Sequence, residues 1–173
     1  MAAPKISVVI CTRNRQDVIE DTLASIAMQS FPTDEYEILV VDNRSEDGST
    51  EWLQARQERY RYTLYHEHEL GLSAARNTGI RNARGEMIYF LDDDAVARPY
   101  LLERLWQTFV DFGATAVGGP IHGLWERTPP TWLHSGYWRG LSLVSYGNKT
   151  RELAYPEILL GGHIGWRRTV FER

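Results

Sequence analysis

The chain has 173 residues, 43% hydrophobic and 24% charged, which is enough apolar material for one folded core and too much for a disordered polymer. A formal net charge of −4 offers no basic field to a nucleic-acid backbone, so the sequence implies no nucleic-acid partner. The single cysteine, Cys11, excludes an internal disulfide; set in an apolar run, it reads as a buried, inert thiol that fits a reducing compartment.

The first half alternates strand-like and helix-like pieces, the pattern of a parallel sheet with crossover helices. Residues Ile6 to Thr12 are apolar and β-branched nearly throughout, as in a strand covered on both faces. Between Gln16 and Ser30, Ile19, Leu23 and Ile26 recur at helical spacing and predict a helix with one buried face. Glu37 to Asp42 predicts a second buried strand. Asp47-Gly48-Ser49 then makes a turn and opens a helix running to about Arg59. Tyr62 to His66 is a third, shorter strand, and Leu72 to Ala83 a helix that Gly79 weakens and Gly85 follows. Glu86 to Leu91 forms a fourth strand running straight into Asp92-Asp93-Asp94. Pro99 suits the first turn of a helix to about Phe112, and a fifth strand is expected within Ala114 to Ile121.

From 123 to 157 periodicity weakens while Trp125, Trp132, Tyr137, Trp138, Tyr146 and Tyr155 accumulate around Pro129-Pro130, which reads as a long functional segment or lid. Its rings suit stacking on sugars, a membrane interface or plain core packing, and the sequence leaves all three open. The N-terminus leads directly into the first strand, and no apolar stretch reaches transmembrane length, so a cytoplasmic protein is expected. The N-x-Ser/Thr sequons at Asn43 and Asn148 are then chance matches.

In open α/β sheets, ligands bind beyond the carboxyl ends of the strands. Three predicted strands end there in polar groups: Thr12-Arg13-Asn14, Asp42-Asn43 and Asp92-Asp93-Asp94. Three consecutive carboxylates repel one another, and a divalent cation with oxygen ligands removes that repulsion. On an extended backbone Asp92 and Asp94 face one way and Asp93 the other. A solvated acidic turn is the competing reading. Asp42 can accept from a ribose hydroxyl or a base N–H, or serve as a turn residue leading to Gly48. Gly71 to Asn77 opens a helix with small residues and one cation, Arg76, which suits a phosphate or an ordinary helix surface.

The ordered set SVVICTRNR, EILVVDNRSEDGST, GLSAARNTGI and MIYFLDDDA resembles the family 2 glycosyltransferases of GT-A fold over roughly residues 5 to 122. LLGGHIGWRRTVF, residues 159 to 171, is similar to that family's acceptor-side segment. The resemblance implies a single α/β domain of GT-A (Rossmann-like) type, its mostly parallel sheet carrying helices on both faces. Residues 5–94 would form the nucleotide-sugar-binding half and 95–173 a partial acceptor-side half. Thr12, Arg13 and Asn14 would line the nucleotide pocket, Asp42 contact the base or ribose, and Arg76 stabilise the leaving diphosphate. Asp92 and Asp94 would form a D-x-D element for Mn²⁺ or Mg²⁺, with Asp94 the nearer ligand and Asp93 toward the ribose or donor sugar. Gly161, Gly162 and His163 would lie near the sugar and acceptor. The implied reaction moves a sugar, with inversion, from a nucleotide-diphosphate sugar to a sugar or lipid-linked acceptor in polysaccharide biosynthesis, with peripheral contact at the inner face of a membrane.

One element of the family pattern is missing. No aspartate follows Asp111, and the later acids are Glu126, Glu152, Glu157 and Glu172, none in the expected acidic pair. The resemblance therefore implies a general base beyond residue 173 and a truncated chain, with Glu157 the substitute base within it. Two other functions stay open: a module that binds nucleotide sugars without transferring them, and a sugar nucleotidyltransferase. The latter wants a glycine-rich loop after the first strand, and Thr12-Arg13-Asn14-Arg15 has no glycine.

Overall fold

The computed structural model describes residues 3–125 and 127–172. Its centre is four parallel strands, β1 (Ile6–Thr12), β2 (Tyr36–Asp42), β3 (Tyr62–His66) and β4 (Met87–Leu91). Two further strands, β5 (Ala116–Gly118) and β6 (His163–Arg167), complete one sheet in the order β3-β2-β1-β4-β6-β5, with β6 antiparallel to both neighbours. The predicted fourth strand begins one residue later than Glu86, and the expected fifth strand is only three residues long.

Helices cover both faces, which is why β1 and β2 are apolar without alternation. On one face Ile6, Val8 and Ile10 pack with Ile19, Leu23 and Ile26 of α1 (Ile19–Ala27) and with Leu102, Leu105 and Phe109 of α5 (Leu101–Asp111). Burying each such side chain is worth about 1.5–3 kcal/mol. The opposite face presents Val9, Leu39, Ile88 and Phe90 to α4 (Leu72–Asn82). Gly79 costs helix propensity for a packing reason: a Cβ there would lie 2.3 Å from Val9 Cγ1, so α4 approaches β1 only with glycine at that point.

The helix expected from Ser49 to about Arg59 is two pieces, α2 (Ser49–Gln54) and α3 (Gln57–Tyr60). The Leu53 carbonyl, which an unbroken helix would offer to Gln57, instead accepts from Arg56 N–H at 3.1 Å and from the Tyr62 hydroxyl at 2.6 Å. Between β5 and β6 the chain is irregular apart from a 3₁₀ turn at Ser135–Leu141, as the weak periodicity implied. Among the described residues, no helix is long and apolar enough to cross a membrane.

Candidate functional site

The carboxyl ends of the parallel strands bring the predicted residues to one edge. Thr12, Asp42 and His66 are register partners across β1, β2 and β3, and Asp92 follows directly on β4. The three aspartates diverge as the strand pleat dictates. Asp93 turns toward the α1 face, where its carboxylate accepts from Thr12 Oγ1 at 2.7 Å while its carbonyl accepts from Thr22 Oγ1 at 2.8 Å. Asp92 turns to the α4 face, its carboxylate 3.7 Å from the Arg76 guanidinium.

Burial raises the pKa of both Asp92 and Asp93 above the ordinary carboxylate range. Arg76 pulls Asp92 back down and Asp94 pushes it up; Thr12 and Arg15 pull Asp93 down against its two acidic neighbours. Among the described residues, no three His, Cys, Asp or Glu side chains converge to cage a cation. Asp92 and Asp94 are exposed, hard oxygen donors that leave most of a coordination shell to a ligand's oxygens.

Arg76 is only 29% exposed, and it reaches across to the chain leading into β6. Its Nη2 donates to the Gly161 carbonyl at 3.1 Å, and the guanidinium lies 5.4 Å from the centre of the Phe90 ring. The acceptor-side glycines sit against this pair. A Cβ at Gly162 would lie 1.9 Å from Asp92 Oδ2, and Asp92 N–H donates to the Gly162 carbonyl at 3.3 Å. His163 turns to the other face, its Nδ1 2.7 Å from the hydroxyl of fully buried Tyr89, and burial lowers its pKa to about 4. A buried neutral imidazole is a spacer between strands, a placement that Gly161-Gly162-His163 alone does not disclose.

Asp42 is 2% exposed, and both its oxygens are engaged: one accepts from Ser45 N–H at 3.2 Å, the other from Thr50 Oγ1 at 2.6 Å. His66 Nδ1 stands 3.7 Å away. Direct contact with a nucleoside requires those bonds to open. Arg13 and Asn14 are exposed at the same edge, and Asn14 is bonded to the loop after β2: its N–H donates to Ser45 Oγ at 2.9 Å, and its Oδ1 accepts from Glu46 N–H at 2.8 Å.

Sequence reasoning passed over three residues here. Asn43 is buried, donates to the Glu67 and Glu69 carbonyls and accepts from Gly71 N–H at 2.8 Å, fixing the entry to α4. Arg15 and Tyr89 were missed because nothing local marks them; each matters through a partner more than seventy residues away. Cys11 is half-buried with its pKa raised to about 12 by burial, an inert thiol. Glu157 is forked onto Arg151 at 2.5 and 2.7 Å, which lowers its pKa and weakens it as a base; Glu126 lies outside the described residues.

A family model described as "Glycosyl transferase family 2" matches residues 7–173. The chain is 38% identical over 122 residues to Glycosyltransferase AglE of Haloferax volcanii, a match covering 68% of this chain and 40% of that one. It is similar in structure to the mannosyltransferase PcManGT of Pyrobaculum calidifontis in complex with GDP-Man and Mn²⁺, with a TM-score of 0.73 and 25% identity, over 100% of this chain and 47% of that chain. TarS 1-349 of S. aureus shares the fold with a TM-score of 0.76 at 20% identity, over 97% of this chain and 48% of that one. The chain therefore spans about two fifths to one half of the length of these proteins.

Proposed function

Because the chain belongs to glycosyl transferase family 2, we propose that it transfers a sugar from a nucleoside-diphosphate sugar to an acceptor hydroxyl, with inversion and with the help of a divalent cation. The observation that carries this reading is the divergence of Asp92 and Asp93 at the end of β4, one facing Arg76 and the other Thr12. An edge where three aspartates meet Arg76 and Arg15 offers both carboxylates for a cation and guanidinium groups for a diphosphate. An acidic turn alone gives no reason for Asp93 to be half-buried against Thr12 while Asp92 is set beside Arg76.

In this reading residues 5–94 hold the donor and 95–173 the acceptor side. Thr12, Arg13 and Asn14 border the nucleoside, and Asp42 sets the loop from Asn43 to Gly48 that flanks it. Asp93 takes a donor hydroxyl in place of, or beside, Thr12. Asp92 and Asp94 would hold Mn²⁺ or Mg²⁺, which when bound neutralises charge on the leaving diphosphate. Arg76 adds a fixed positive charge at the same point and costs no reorganisation, because Gly161, Asp92 and Phe90 already hold it. Gly161, Gly162 and His163 form the wall toward the acceptor. The general base is not assigned to Glu157, because the Arg151 fork lowers its pKa and makes it a weak proton acceptor. PcManGT is described with GDP-Man and Mn²⁺, which supports both the donor class and the metal.

The test is calorimetry of UDP, GDP and dTDP with and without Mn²⁺, followed by product analysis with the donor whose nucleotide binds. Cation-dependent nucleotide binding with sugar transfer supports the reading. Binding without any transfer or donor hydrolysis, in a chain carrying its native flanking sequence, favours a nucleotide-sugar-binding module, and no binding overturns both.

A further inference from the structure

A partly open cavity lies outside the aspartate edge, inside the segment between β5 and β6. It measures about 440 Å³, within the range of small-molecule sites. The walls are fixed by contacts within the segment. Ile121 and Val144 exchange backbone hydrogen bonds at 2.9 and 3.0 Å, and the Tyr146 hydroxyl donates to the Ile158 carbonyl at 2.8 Å. Trp138 sits on the 3₁₀ turn, where its carbonyl accepts from Leu143 N–H at 2.9 Å. The Trp125 indole lies so close over Gly123 that a Cβ there would meet the ring at 2.7 Å. These contacts fix the backbone that carries Trp138, tether the Tyr146 hydroxyl and set the Trp125 ring against Gly123.

Between the rings the lining is mixed: Ile121, Leu143, Val144, Ile158 and Leu160 supply apolar wall, and polar side chains interrupt it. Arg139 and Glu157 face the space together with His122, Ser135 and Ser145, and the Arg151 fork keeps Glu157 ionised. An acyl chain would match the aliphatic wall but leave the Arg139, His122 and Ser135 side chains desolvated without partners, at a cost of about 1–3 kcal/mol each. A pyranose has two apolar C–H faces and an equatorial belt of hydroxyls, so it satisfies both parts of such a wall. Leu160 closes the cavity next to Gly161, the residue that Arg76 holds beside Asp92, which puts the space one residue along the chain from the donor edge.

We infer that this cavity is a carbohydrate-binding subsite, in which a pyranose of a glycan acceptor packs against Trp125 and Trp138 with its hydroxyls on Arg139 and Glu157. The inference rests on the proposed transferase reading and names its acceptor as a glycan. It also resolves the alternatives for the aromatic segment in favour of sugar stacking.

The experiment applies the full chain to an array of immobilised oligosaccharides and, in solution, measures chitobiose and cellobiose by saturation-transfer NMR. Each sample is titrated in parallel with UDP and GDP in Mn²⁺. Capture of at least one oligosaccharide is expected, with a loss of tenfold or more in Trp138→Ala and in Trp125→Ala, partial rescue in Trp138→Phe, and unchanged nucleotide affinity. Both tryptophans are over 40% exposed, so their truncation spares the core, and retained nucleotide binding certifies the fold of each variant. Glycan capture that survives both substitutions overturns the subsite. So does nucleotide binding with no glycan captured, which leaves the transferase reading standing. Tryptophan-dependent binding to phosphatidylglycerol vesicles without glycan capture assigns the segment to a membrane instead. If neither nucleotide nor glycan binds, the transferase reading falls, and this inference falls with it.

Discussion

Gly162→Ala separates the position of Asp92 from the stability of the fold. The new Cβ would start 1.9 Å from Asp92 Oδ2, whereas ordinary contact begins near 3.4 Å, so the carboxylate must move by about 1.5 Å. Asp92 is 53% exposed at its side chain and can swing into solvent, and the backbone at Gly162 is not left-handed. The folding cost should therefore stay within about 1 kcal/mol. The functional cost should be much larger, because a misplacement of about 1 Å in a positioned group can cost on the order of 10²-fold. The swing also separates Asp92 from Arg76, now 3.7 Å away. Thermal unfolding and calorimetric titration of UDP or GDP in Mn²⁺, on the same preparations, give both numbers. The expected outcome is a nearly unchanged Tm with cation-dependent affinity down by about 10- to 100-fold. Wild-type affinity in a variant of unchanged Tm would refute the assignment of Asp92 to the site.

Asp94→Asn should abolish most of the difference between nucleotide affinity in Mn²⁺ and in EDTA, and a wild-type protein with equal affinity in both would remove the metal from the reading. Asp42→Ala leaves Ser45 N–H and Thr50 Oγ1 without their acceptor, so unfolding in urea should show a loss of about 1–3 kcal/mol. Nucleoside diphosphate affinity should fall as the loop from Asn43 to Gly48 loosens while pyrophosphate affinity holds; equal losses for both ligands contradict the placement. His163 supplies a pH dependence. Its folded pKa of about 4 lies below the ordinary 6.5, so the unfolded chain binds a proton that the folded chain refuses, and the penalty is absent above pH 6.5. Stability should drop by up to about 3 kcal/mol as the pH falls from 6.5 to 4, and urea titrations of His163→Gln over that range should lose this component.

The parallel core was legible because its signals are local. An unbroken β-branched run such as Ile6 to Thr12 has few alternatives, and Ile19, Leu23 and Ile26 can share a face only in a helix. What local patterns hid was β6. His163 to Arg167 carries two glycyl neighbours, a half-buried tryptophan and a terminal arginine, which is weak strand material. It becomes a strand because β4 and β5 leave a gap that its backbone fills, and Gly165 fits there only because a Cβ would meet Met87 Sδ at 2.8 Å. Pairing across more than seventy residues outweighs propensity at such a site.

The same distinction explains what could be read of the site. That Asp92 and Asp93 face opposite sides of the sheet follows from the pleat, and the sequence sufficed for it. The partners of Arg76 did not follow, because Asp92 meets it across the sheet edge and Gly161 from 85 residues along the chain. Arg76 also shows how the two halves are made one. It leaves α4, crosses the edge beside Asp92 and ends on the carbonyl that precedes Gly162 and β6. On the proposed reading, losing that contact would loosen the proposed acceptor wall and remove the cation proposed to face the leaving group. A single guanidinium would then tie donor charge to acceptor placement, and Lys, with one point charge and no fork, could serve only one of them at a time.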